Sequence, residues 1–157
     1  MRKLMVLLLI AFALPVQAAE AIFQARVSAP VDAVYQALYQ ELESCRLFVV
    51  FEPDMGKTIA GMAKRLGDDY NRNGLEAIRS LVLCNAWYTN QVSNLDPAML
   101  ALCPLRVSVI HKGGVTTLAF ARPSLYAAGS KALPVIQEIE GLVIEAIEAA
   151  GSKFSQS

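Results

Sequence analysis

Three thiols and one imidazole carry most of the chemistry this 157-residue sequence offers. Cys45, Cys84 and Cys103 are its only cysteines. A thiolate is a nucleophile and a soft-metal ligand, whereas two thiols in an oxidising compartment close a disulfide. Three cysteines permit three single pairings and leave one residue over. Cys84 and Cys103 bracket a segment that must return the chain to a sheet, which makes them the expected structural pair. Their bridge would close a loop of about 20 residues and contribute roughly 3 kcal/mol through the entropy of the unfolded chain. Cys45 is expected to be a buried spectator. The functional alternative is a thiol-based redox or sulfur-handling role at Cys84, partnered by Cys103 or Cys45. No adjacent basic residue lowers the pKa of that thiol. No C-x-x-C, C-x-x-C-H or zinc-finger spacing occurs, which sets aside covalent haem and structural zinc.

His111 is the sole histidine and falls beside Lys112-Gly113-Gly114. One imidazole can ligate iron or another metal, or carry a proton. No second histidine and carboxylate stand at ligand spacing, so no metal site and no cofactor are expected. Non-covalent haem or metal binding through His111 is a second alternative. Asn85, Trp87, Tyr88 and Arg106, with Tyr70 and His111, are the candidate ligand-binding residues, because an aromatic wall with few polar groups suits a small molecule.

Other patterns fall short of their chemistry. Gly56-Lys57-Thr58 ends like a phosphate-binding loop, but Phe51 stands where that loop needs its first glycine. Asp68, Asp69, Asn71 and Asn73 offer hard oxygen ligands for calcium without the closing glutamate of a calcium loop, so this reads as a solvated loop. There is no G-x-S-x-G for serine hydrolysis. The acidic residues concentrate on the last helix, where Glu138, Glu140, Glu145 and Glu148 read as its wet face. No catalytic constellation emerges, and enzymatic activity is not the expectation.

The elements that position these groups follow an export leader. Arg2 and Lys3, the apolar run Leu4 to Leu14, and Val16-Gln17-Ala18 read as a signal peptide over 1–18, cut after Ala18. The apolar run is shorter than the roughly 20 residues of a membrane span, and no cysteine follows it as a lipid anchor. The expected location is periplasmic or secreted, with no stable membrane anchor after cleavage. Removing Arg2 and Lys3 from the 14 basic side chains leaves 12 against 14 acidic ones, a formal charge of −2 without a block of like charge. No nucleic-acid partner is indicated.

What remains, 19–151, suffices for one core, and 152–157 reads as a flexible tail. Alternation over 22–28 predicts a strand. Val31, Val34, Leu38 and Leu42 predict an amphipathic helix over 30–43. Further strands are predicted at 46–51 and 81–88, both apolar on two faces. A helix capped by Asp54 is expected to run to Leu66, and a short one from Asp96-Pro97 to Pro104. Leu105–His111 and Val115–Ala121 flank a Gly-Gly turn, a strong hairpin signal that sets Val109 opposite Leu118 and Val107 opposite Phe120. A last helix is expected from Pro134 to a stop at Gly151.

The resulting order of strand, helix, four strands and helix is an α+β fold, a mainly antiparallel sheet of about five strands with helical insertions. One helical layer covers one face. The second apolar face of the central strands must then be met by the inserted helices, a ligand or a partner, and a homodimer is the preferred form.

This succession, with Leu-Val-Leu-Cys-Asn-Ala at 81–86 and Cys-Pro-Leu-Arg-Val-Ser-Val at 103–109, resembles the domain-of-unknown-function 302 family over roughly residues 22–148. Asn85, Pro104 and Arg106 match its pattern. Cys84 stands where the family has Gly, Ala86 where it has Pro, and Cys103 where another residue usually precedes Pro. The resemblance implies a TATA-binding-protein-like antiparallel fold, often dimeric, and brings no activity. The function expected is a dimeric binding or assembly module for a protein partner or a small ligand.

Overall fold

In the computed structural model, residues 21–155 are described, and the expected leader at 1–18 lies outside them. Alternation builds β1 (Ile22–Val27) as expected. Pro30 starts α1 (Val31–Ser44), which buries Val34, Tyr35, Ala37, Leu38 and Leu42. The next strand is shorter than predicted. Arg46 adopts a left-handed φ of 60°, and the Leu47 N–H bonds back to Leu42 O at 2.9 Å. Both residues therefore belong to the turn, and β2 covers Phe48–Phe51.

Asp54 caps the following helix as predicted, its carboxylate accepting the Lys57 N–H at 2.8 Å. That helix splits into α2 (Met55–Ala60) and α3 (Ala63–Leu66). Neither piece buries a residue. Helical continuity depends on packing an apolar face, and here none carries it across Gly61. The glycine of the phosphate-loop-like motif has a packing role, since a Cβ on Gly56 would stand 3.1 Å from Ile78 N.

β3 spans Ala77–Cys84 instead of 81–88. Two forces move it. Cross-strand pairing recruits the polar stretch upstream as far as Ala77↔His111. Downstream, the Asn85 side chain accepts the N–H groups of Trp87 and Tyr88 at 2.9 and 3.2 Å. That cap, worth about 1 kcal/mol, turns the chain into α4 (Ala86–Leu95), a helix hidden inside what reads as a strand. The short helix after Asp96-Pro97 is a 3-10 turn, Pro97–Leu102.

The hairpin of β4 (Leu105–Lys112) and β5 (Val115–Ala121) has the predicted register. Gly113 and Gly114 take φ values of 57° and 78°, which the tight turn requires. The last helix, α5 (Leu133–Ser152), runs past the expected stop at Gly151. Phe154 packs beyond it against the core.

The sheet order is β1-β5-β4-β3-β2, antiparallel throughout. α1 and α5 lie on one face, burying Leu81, Val107, Val109, Leu118 and Phe120 in one cluster. The expected wet face of α5 has an exception. Glu140 is 4% exposed, with Arg122 Nε at 2.8 Å from one oxygen and Ser124 N–H at 2.9 Å from the other.

No side chain of the opposite sheet face belongs to either core cluster. The α4 insertion does not cover that face, because it docks beside α5 through Tyr88 and Glu138. Phe51, Phe48 and Ile22 remain 64%, 49% and 42% exposed there. Among the described residues, no helix is long and apolar enough to cross a membrane.

Candidate functional site

Where α4 leans on α5, two clusters of apolar side chains meet without filling the space between them. One is the main core. The other gathers Val92, Ala127, Ala132 and Ile136. The seam holds a cavity of about 440 Å³, within the roughly 300–1,000 Å³ of small-molecule sites. Leu83 and Leu105 reach it from the strand ends, Ile136 and Ile139 from α5, Tyr88 and Val92 from α4. Met99, Leu100 and Leu102 close it from the 3-10 turn, and Cys84 and Cys103 complete its wall.

Three contacts hold the covering segment, 85–102, in place. Tyr88 OH donates to Glu138 Oε1 at 2.7 Å, tying α4 to α5. Burial, the hydrogen bond to Glu138 and the charge of that carboxylate push the Tyr88 hydroxyl up to about 12, so it stays protonated. Asp96 accepts the Ala98 N–H at 3.2 Å and the Ser130 hydroxyl at 2.6 Å, linking the 3-10 turn to the loop before α5. Asn85 donates from Nδ2 to Arg46 O at 2.8 Å, anchoring the start of α4 on the α1–β2 turn.

These bonds decide what the cavity can recognise. The Asn85 carbonyl oxygen is filled by its cap and its Nδ2 donates to Arg46 O, while the Tyr88 hydroxyl donates to Glu138 and the Thr89 hydroxyl to Asn85 O at 2.9 Å. Cys84 and Cys103 line the cavity too, and neither thiol has a hydrogen bond among the described residues. The Cys103 thiol is held above its ordinary value by burial and by the neighbouring Cys84. The chemistry on offer is a half-open apolar pocket with two cysteines among its lining residues.

Of the residues singled out in the sequence, Cys84, Asn85, Tyr88 and Cys103 come together here. The expected Cys84–Cys103 bridge is not formed, and all three cysteines are thiols. Cys45 is half-buried against the main core. Trp87 stacks edge-to-face on Tyr88 at 4.8 Å between centroids but is 58% exposed, outside the cavity wall. Arg106 neighbours Leu105 and so points to the helix-free face, opposite Val82.

His111 lies six residues along β4 from Leu105, roughly 20 Å at strand rise, and cannot share the site. The Thr116 hydroxyl donates to Ala29 O at 2.8 Å and therefore accepts from His111 Nδ1 at 2.8 Å. Nδ1 therefore carries a proton, and Nε2 stands 3.5 Å from Glu76. Among the described residues, no group of three or more His, Cys, Asp or Glu side chains is arranged to hold a metal ion.

Tyr70 lines a separate polar hollow beside α2 with Asp54 and Lys57. The polar loop after α3 is self-contained. Asp69 pairs with Arg72, and the Asn71 amide bonds both backbone groups of Leu75.

Val92, Met99, Leu100, Ile136 and Ile139 are site residues that the sequence alone did not single out. Ile136 and Ile139 read as core stripe, and nothing local distinguishes a stripe that fills a core from one that borders a void.

A family model described as "Domain of unknown function DUF302" matches residues 23–150. Among solved structures, the crystal structure of the uncharacterized conserved protein DUF302 from Bacillus stearothermophilus matches with a TM-score of 0.73 at 16% identity, covering 84% of this chain and 99% of that one. At that identity the likeness carries the fold alone. No curated protein matches the chain.

Proposed function

Since this chain belongs to the DUF302 family, which brings a fold and no activity, we propose that it is an exported binding module for a small apolar ligand held between α4, α5 and the end of β3. The observation that carries this is the 440 Å³ cavity whose polar neighbours are already hydrogen-bonded to one another. A buried acceptor on the ligand would find both hydroxyls already donating elsewhere, and a buried polar group left without a partner costs several kcal/mol by transfer scales, roughly 2–7. A hydrocarbon-like ligand pays no such penalty. The leader at 1–18 supports a periplasmic or secreted location.

Ile139→Trp adds a bulky ring at the α5 wall without touching the cap or the Tyr88–Glu138 contact. Titration with the fluorescent apolar probe N-phenyl-1-naphthylamine is expected to show saturable binding to the native chain and at least tenfold weaker binding to the variant. Equal binding by both, or none by the native protein, sinks the reading.

The helix-free face supports the second part of the reading, a homodimer. On that face Phe51, Val82, Arg106, Ala121 and Ile22 form one row across all five strands. Apolar exposure of this kind at both edges of a sheet marks an interaction surface, and closed two-fold pairing is its commonest use. Light scattering is expected to return twice the chain mass for the native protein and the single chain mass for Phe51→Lys. A monomeric native protein at micromolar concentration removes this part and leaves the ligand reading intact.

A further inference from the structure

We infer that Cys84 and Cys103 are a thiol–disulfide site in the cavity wall, whose closure slows ligand exchange by pinning both ends of the covering segment 85–102. The gating half of this rests on the binding reading above. The bridge half does not.

The juxtaposition follows from the strand register. β3 pairs with β4 up to Leu83↔Leu105, so one step further sets Cys84 opposite Pro104, the neighbour of Cys103. Neighbouring strands run about 5 Å apart, so Cys84 stands about one strand spacing from the Cys103–Pro104 peptide, and disulfides join Cα atoms about 4.4–6.8 Å apart. Both residues line the same cavity, and Cys84 is close enough to raise the proton affinity of Cys103. Cys45 packs in the main core and lines no part of the cavity.

The oxidant is a small-molecule disulfide such as glutathione disulfide. Cys103 is the poorer starting nucleophile because burial and Cys84 keep it protonated. Cys84 therefore attacks first, as its thiolate, breaking the donor S–S bond and expelling one thiolate. Cys103 then gives up its proton and attacks the Cys84 sulfur, expelling the second. Two protein S–H bonds are lost and one S–S bond forms. The donor leaves as two thiols, carrying both electrons and both protons.

The position of the bridge gives it a consequence. Cys84 ends β3 and Cys103 ends the 3-10 turn, so everything between them is the cover of the cavity. In the dithiol form that cover is held by α4's contacts with α5 and by Asp96. In the disulfide form its two ends are also bonded to each other, and the cover opens less often.

The test uses the full mature chain, reduced and then exposed to glutathione disulfide. The expected result is a mass loss of about two hydrogens, a Cys84–Cys103 linkage on peptide mapping, and release of bound N-phenyl-1-naphthylamine slowed at least fivefold. Reduction restores the faster release. Cys45→Ser retains all of this, while Cys84→Ser and Cys103→Ser each lose it. A linkage to Cys45, or no mass loss in the native chain, overturns the bridge without recourse to any variant. Equal release rates from the two redox states overturn the gate. A chain that binds no probe in either state overturns the binding reading and the gate with it, while the mapped linkage is judged by mass alone.

Discussion

Glu140→Gln is expected to lower the unfolding free energy by about 3 kcal/mol, near the cost of breaking a buried ion pair. The urea midpoint should fall while the slope stays unchanged. Both carboxylate oxygens are occupied by donors, Arg122 Nε at 2.8 Å and Ser124 N–H at 2.9 Å. A glutamine must turn its NH2 toward one of them, so a donor meets a donor and Arg122 loses its counter-charge. The side chain of Glu140 is 5% exposed and that of Arg122 is 31% exposed, so water can relieve only the arginine.

The pH dependence has a defined sign. Burial raises the Glu140 carboxyl's affinity for a proton, but the hydrogen bonds from Ser124 and Arg122 and the charge of Arg122 outweigh it and hold the group below its ordinary value. A depressed folded pKa means that the unfolded chain binds the proton more readily. The contribution is therefore full above the unfolded glutamate value of about 4.3 and disappears as pH falls through the lower folded value. The stability gap between native and Glu140→Gln should be widest near neutrality and shrink in acid. A gap that stays constant from pH 7 to pH 3 contradicts this account. Because α5 also supplies Ile136 and Ile139 to the cavity, the variant should weaken apolar-probe binding along with stability.

Phe120→Ala is expected to cost about 4 kcal/mol, in the range measured for truncating buried aromatic rings. Phe120 sits on the inner face of β5 between Phe23 and Val107, 1% exposed. It is thus surrounded by two strands and the helical layer, and no one element can move inward to fill the space it vacates. Against a total stability of roughly 5–15 kcal/mol for a small domain, such a loss should lower the thermal midpoint by roughly 8–32 °C at about 2–8 °C per kcal/mol. A shift of a few degrees would mean that the inner face relaxes far more than a close-packed core allows.

These two positions frame what sequence reading achieves here. Phe120 was legible as inner-face core because the Gly-Gly turn fixes hairpin register, and register fixes which side chains share a face. Glu140 was misread as wet face. Helical periodicity places it beside Glu138 and Glu148, and its partner Arg122 comes from the far side of the 3-10 turn Pro123–Tyr126, a contact no spacing rule announces. The border of β3 and α4 was misplaced for a related reason. Leu81 to Tyr88 is apolar enough for a strand, and a single amide, Asn85 accepting two backbone N–H groups, converts its second half into a helix.

The candidate site was half visible. Cys84, Asn85, Tyr88 and Cys103 stood out by residue type and do converge. Trp87, Arg106 and His111 stood out equally and do not. Strand alternation could have removed Arg106, since its neighbour Leu105 faces inward, and the length of β4 could have removed His111.

Taken by itself, the sequence determined the class of fold, the hairpin register, the two helical stripes and the presence of three thiols, because each follows from side-chain period or residue type along a continuous stretch. Only the tertiary structure decided that Glu140 is buried, that two of the thiols share a wall, and that a void lies between α4 and α5. These depend on where Tyr88 meets Glu138, 50 residues away. Periodicity says which side of an element is apolar. How completely two such sides fill the space between them is settled only when they meet.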